Sequence, residues 1–179
     1  MEKESLAERI KALVVNVPDY PKKGISFKDL TPLFASYEVF DSSIKYLSQT
    51  ITSSLGEKPD FIVGVEARGF IVGTALAKEM GLGFVPIRKA GKLPRNVVSE
   101  EYALEYSTAK IELQKSAMPK RSRVIIADDL LATGGTSIAA SNLIAKQGSI
   151  TLGFAFIVSL SYLEGKKKLS LPVFDIVEY

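Results

Sequence analysis

Apolar positions along the chain recur with two different spacings. Over 5–15, Leu6, Ile10, Leu13 and Val14 lie three and four residues apart or side by side, the period of a short amphipathic helix with Ser5 as its cap. Residues 37–55 and 69–80 repeat that spacing, the first ending before Gly56, and 134–147 gives another helix closed by Gly148. Between them the pattern shortens to unbroken apolar runs at 61–65 (stopping at Glu66), 82–87, 123–127 and 150–160. Such runs predict strands buried on both faces, and 173–177 reads as an edge strand. Strands alternating with helices predict one α/β domain over 1–179, a central, mostly parallel sheet flanked by helices. The terminal segments, about 1–34 and the C-terminal stretch, form a small hood in this reading. Two segments follow neither period. Residues 16–34 hold three prolines and a glycine and read as a structured loop. Residues 88–115 open on Arg88, Lys89, Lys92 and Arg95 and then alternate, which suits a hairpin or a long mobile loop.

Composition narrows the chemistry. The 179 residues include no cysteine and no histidine, which removes disulfides, thiolates and the commonest general base. Acid–base work falls to Asp, Glu, Lys or Tyr, and any metal is expected to be a hard cation on oxygen ligands. The formal charge of +3 and a pI of about 9.0 are only mildly basic, so nucleic acid is not an expected partner. The first 20 residues lack the basic-then-apolar order of a signal peptide, and no run suits a membrane span. A cytoplasmic location is the expectation.

The segment RVIIADDLLATGGTSIAASNLIAKQG, 123–148, concentrates the candidate chemistry. Asp128 and Asp129 end a strand, and adjacent carboxylates repel. Ala132, Thr133, Gly134, Gly135 and Thr136 then turn into a helix, where glycines let backbone N–H groups converge and the helix terminus favours an anion. The turn suits a phosphate. The acids suit vicinal sugar hydroxyls, and together they describe a ribose 5-phosphate. The chain has neither GxxxxGK[ST] nor GxGxxG.

VIIADDLLATGGT resembles the phosphoribosyl pyrophosphate (PRPP) signature of the type I phosphoribosyltransferases. PDYPKKGISFKDLTPLF, VGVEARGFIVGTALA, VPIRKAGKLP, YALEY and SYLEGKKKLSLPVF resemble, in the same order, the members that act on adenine. The resemblance implies that family's fold with a hood and a mobile catalytic loop. It implies transfer of ribose 5-phosphate from PRPP to adenine, with Mg²⁺ and a homodimer. It implies a cis bond at Glu66–Ala67, and pyrophosphate contacts from Glu66, Ala67, Arg68, Arg88, Lys89 and Lys92. Arg68 and Glu105 take catalytic roles, Glu105 as general acid/base at the purine, and Tyr106 shields the reacting centre. Ser26, Phe27 and Lys28 meet the adenine, with Leu160 on the opposite face of the ring. Lys166 to Lys168 read as surface. The family usually carries Glu where this chain has Ser159, and Arg is common where it has Lys28. Three alternatives stand beside this reading: another purine base such as xanthine or guanine, a PRPP-sensing regulator, and a generic sugar-phosphate binder.

Overall fold

A computed structural model describes residues 3–94, 96–104 and 107–179. Its core is a seven-stranded sheet. The central four strands, β3 (Phe61–Val65), β4 (Gly83–Lys89), β7 (Arg123–Ala127) and β9 (Ile150–Ala155), are parallel in the spatial order β9-β7-β3-β4. The hairpin of β5 (Val97–Leu104) and β6 (Ser107–Gln114) extends the sheet antiparallel beyond β4, while β11 (Val173–Phe174) lies at the other edge beside β9.

Successive residues of a strand point to opposite faces, and here both faces are covered. Ile62 of β3 and Ile125 and Ala127 of β7 pack with Leu47 of α3 (Tyr37–Ser54) and with Val72 and Leu76 of α4 (Gly69–Met80). Val63, Val65, Val124 and Ile126 face the other way, onto Ala140, Leu143 and Ile144 of α5 (Gly135–Gln147). That two-sided burial explains why the strands read as apolar runs.

The ends of the chain meet above the sheet. The first helix, α1 (Lys3–Leu13), buries Leu6 and Ile10 in the same cluster as Ile176 and Val177 of the C-terminal segment. A three-stranded parallel patch, β12 (Val177–Glu178), β10 (Val158–Ser159) and β8 (Leu130–Leu131), ties that segment to the residues following β7.

Three local expectations are corrected, at Ser5, 16–34 and 150–160, while the hairpin alternative holds for 88–115. Ser5 lies inside α1 rather than capping it. The proline-rich stretch 16–34 is not simply loop. Most of it is an antiparallel hairpin, β1 (Val15–Pro18) with β2 (Ser26–Asp29), followed by the short helix α2 (Thr31–Ala35). Segment 88–115 forms a hairpin over its second half. The run 150–160 breaks after Ala155, because Ile157 and Val158 both donate to Asp129 O (3.1 Å) and leave the main sheet for the small patch.

Candidate active site

Chain connectivity fixes where a site can form. From β3 the chain crosses to β4 on one side and later returns to β7 on the other, so the strand order reverses between β3 and β7. Segments leaving those neighbouring strand ends diverge, and the crevice between them is where open α/β sheets bind ligands. The two segments are Glu66–Arg68 and Asp128–Thr136.

The second segment forms the predicted cradle. Gly134 sits at φ +81°, a left-handed position that caps α5 and suits glycine. Residues 132–136, with Asp128 and Leu130, line a small cavity of about 80 Å³ at the N-terminus of this 13-residue helix. Behind it, a Cβ on Gly165 would collide with Ala132 O and stand 3.0 Å from Gly134 N, so the turn at 165 backs directly onto the cradle. On its other side Thr136 and Tyr102 share a hydroxyl–hydroxyl hydrogen bond of 3.3 Å, which brings hairpin β5–β6 over the loop. Neither Gly165 nor Tyr102 carries a local signal; only the fold brings them here.

Asp128 accepts from the backbone N–H of Asp129 (2.9 Å) and lies against Gly69, where a Cβ would meet Asp128 Oδ1 at 3.0 Å and Ala127 O at 2.8 Å. Asp129 is 2% exposed. Burial pushes both carboxyls above the usual range, Asp128 further, with its neighbour's charge adding to the effect, while Arg68 opposes the shift at Asp129. Arg68 Nε lies 2.9 Å from Asp129 Oδ2, outside hydrogen-bond angles, so that buried oxygen has no hydrogen-bond donor among the described residues. The acids are therefore poised to accept hydroxyl donors.

The first segment is organised by Glu66. Its peptide to Ala67 is cis, as the resemblance implies, and Ala67 is exposed. The Glu66 side chain, 9% exposed, gathers donors from the segment at the end of β4. It accepts from Lys92 Nζ (2.6 Å), the Lys89 N–H (2.9 Å) and Arg88 Nη2 (3.5 Å), and Lys92 foremost holds its pKa down to about 2. Arg88 also donates to Lys92 O (3.1 Å), and the Gly91 N–H donates to Glu112 (2.9 Å). The Arg88 guanidinium, the Lys92 ammonium and the Lys89 backbone N–H thus converge on one acid at the rim of the crevice.

A larger cavity of about 480 Å³ adjoins the cradle and shares Leu130, Ala132 and Thr133 with it. Phe27 and Leu160 line it along with Ser26 and Lys28, and Tyr162 and Leu163 add apolar surface that sequence reasoning missed. Phe27 stacks edge-on with Tyr20 at 5.3 Å, and the Arg68 guanidinium lies 5.2 Å from its ring centre. Lys28 donates to Asn16 and sits 4.0 Å over the Tyr179 ring. The anomalous Ser159, next to Leu160, is buried with no hydrogen-bond partner for its hydroxyl among the described residues.

The structure thus brings residues 26–28, 66–68, 128–136 and 160 to one crevice, with 88–92 at its edge. Glu105 and Tyr106 lie outside the described residues, as does Arg95. Lys166 is exposed, as expected, and its ammonium also pairs with the buried Asp175 (3.0 Å) and with Glu178. Lys167, more exposed, pairs with Glu164 (2.6 Å).

Residues 32–177 match the model of the phosphoribosyl transferase domain. An adenine phosphoribosyltransferase of Chlorobium luteolum is 51% identical over 160 residues, 89% of this chain and 90% of the relative. That of a Synechococcus species is 46% identical over 166 residues, 93% and 92% of the two chains. Among solved structures, the Saccharomyces cerevisiae adenine phosphoribosyltransferase, complexed with an imino-altritol bisphosphate and adenine, superposes with a TM-score of 0.92. It shares 39% identity, over 97% of this chain and 99% of that one. With a family match over most of its length and relatives this similar end to end, the chain belongs to the phosphoribosyl transferase family, among the adenine phosphoribosyltransferases.

Proposed function

We propose that this chain transfers ribose 5-phosphate from PRPP to adenine, releasing AMP and pyrophosphate. The observation that carries the reading is the continuity of the anion cradle 132–136 with the apolar cavity between Phe27 and Leu160. One end suits a 5-phosphate and the other a planar base, with Asp128 and Asp129 between them for the ribose hydroxyls.

Carbon 1 of the ribose gains positive charge as pyrophosphate leaves, so the leaving group needs cations and the base needs a proton acceptor. Arg68, Arg88, Lys89 and Lys92 supply the cations. Glu66 positions two of them rather than meeting the anion, since its own carboxylate repels it. Donor binding gives Asp129 ribose hydroxyls and releases Arg68 toward the pyrophosphate. Glu105 acts as the general acid/base at the purine and Tyr106 covers the reacting centre.

Mg²⁺ belongs to this reading. Among the described residues no group of three or more acids is placed to cage a metal. Two carboxylates at the site, one with a donor-free oxygen, fit a hard cation that takes most of its ligands from substrate and water. Asp128 and Asp129 would help hold the ion, whose chemistry there would be to offset negative charge on the leaving pyrophosphate.

Adenine is favoured over 6-oxopurines because the cations lining the base cavity are already engaged. Lys28 is held by Asn16 and Tyr179, and Arg68 by Asp129 and Phe27, so a purine O6 finds no ready cationic donor. A coupled assay for AMP from adenine and PRPP, with and without Mg²⁺ and against guanine and xanthine, tests the reading. Mg²⁺-dependent turnover with adenine alone is expected, and equal rates with guanine overturn it. The same reading makes the protein a cytoplasmic homodimer, which sedimentation velocity and cell fractionation test. Among the described residues no helix is long and apolar enough to cross a membrane.

A further inference from the structure

A second cavity, of about 620 Å³, opens at the opposite end of the sheet, where β3, β4 and β7 begin. Strands β3 and β7 are five residues long, which puts it about 16 Å from the crevice at their other ends. Asp60 is the one acid in its lining, and Arg123 takes it. Arg123 donates to Asp60 from the backbone (2.8 Å), Nε (3.2 Å) and Nη2 (3.0 Å), and to Glu57 from Nη1 (2.9 Å). Lys58, Lys120 and Arg121 line the same cavity, exposed, with no ion-pair partner among the described residues.

Arg121 adds a second observation. Its φ is +64°, in the left-handed region that L-residues rarely adopt, and its N–H donates to Gly148 O (2.7 Å). Glycine would make that turn without strain. The chain instead places a guanidinium there, and backbone outliers of this kind gather at ligand sites. The floor is apolar: Pro59, Leu82, Pro119 and Phe61, whose ring lies against Gly83, where a Cβ would meet it at 2.8 Å. Free cations around an apolar floor match a ligand with a planar apolar body and several negative charges. Nucleic acid fits less well, since the chain is only mildly basic as a whole and three cations at one concavity reach few phosphates.

We propose that this cavity binds a nucleoside polyphosphate, its base on the floor beside Phe61 and its phosphates on Lys58, Lys120 and Arg121. The test titrates the full chain with ATP by calorimetry and locates the ligand by amide hydrogen exchange. Saturable binding is expected, with protection over 58–61 and 119–123. Lys120→Glu and Arg121→Gly should each weaken it at least tenfold, leaving AMP formation measured without ATP unchanged. Arg121→Gly suits the local φ, so its loss of binding cannot be ascribed to misfolding. The proposal is overturned if ATP protects only 128–136, if neither substitution changes its affinity, or if a single-stranded RNA oligonucleotide binds the same residues more tightly than ATP.

Discussion

At the scale of single residues, the site depends on contacts that leave no room for adjustment. Gly165 abuts main-chain atoms of the cradle, and backbone cannot swing aside as a side chain can. Gly165→Ala should lower stability by about 1–3 kcal/mol and raise the KM for PRPP more than tenfold, read from thermal melts and steady-state rates. Arg68→Ala removes the counter-charge of Asp129 and a cation for the leaving group. Its kcat is expected to fall by about 10²–10³. Asp128 works in the opposite sense. Burial beside a second carboxylate raises its pKa, so the folded chain holds that proton more tightly than the unfolded one. Stability is therefore lost as pH rises from the unfolded value of about 4 through the raised one. Asp128→Asn keeps the acceptor oxygen and drops the charge, so near neutral pH it should stabilise the empty protein by about 1 kcal/mol. The same change should weaken PRPP binding, which calorimetry on the variant checks.

At the scale of elements, loop 88–92 is held as a unit by Glu66 and Glu112. Glu66→Gln should raise the KM for PRPP several-fold while leaving the KM for adenine near its original value. A carboxyl held at about 2, against its ordinary 4.5, stabilises the latch fully above that ordinary value. Its contribution is lost as pH falls from about 4.5 toward 2, and hydrogen exchange at 88–92 measured across that window should show the loop loosening. The donor motif was legible in sequence because strand, acids, glycines and helix are contiguous. The Glu66 latch was not, because Lys92 lies 26 residues away and only the pairing of β3 with β4 brings it back. The hairpin β1–β2 was hidden for a related reason. Its prolines and glycine read locally as loop, while the pairing of Val15 with Asp29 spans the whole stretch.

At the scale of the molecule, burial on both faces separates stability from chemistry. Leu47, on the buried face of α3, is fully enclosed and away from the crevice. Leu47→Ala should destabilise the fold by about 2–5 kcal/mol, seen in denaturant unfolding, with both KM values unchanged. Fold class and layer order were readable from periodicity, since each strand's run declared two covered faces. That the two terminal segments lie together was also expected, but the residues that join them were not, because Leu6 and Ile10 of α1 meet Ile176 and Val177 only once the chain has folded.

The crevice draws its two halves from different sources. Arg68 and the paired acids hang from adjacent strands in fixed register, whereas Phe27 and Lys28 ride on a separate two-stranded hairpin steadied by Tyr179. Donor handling and base choice are in that sense separate inheritances. A lineage, or an engineer, can exchange the hairpin for one that reads a different base while the sugar-phosphate machinery passes on unaltered.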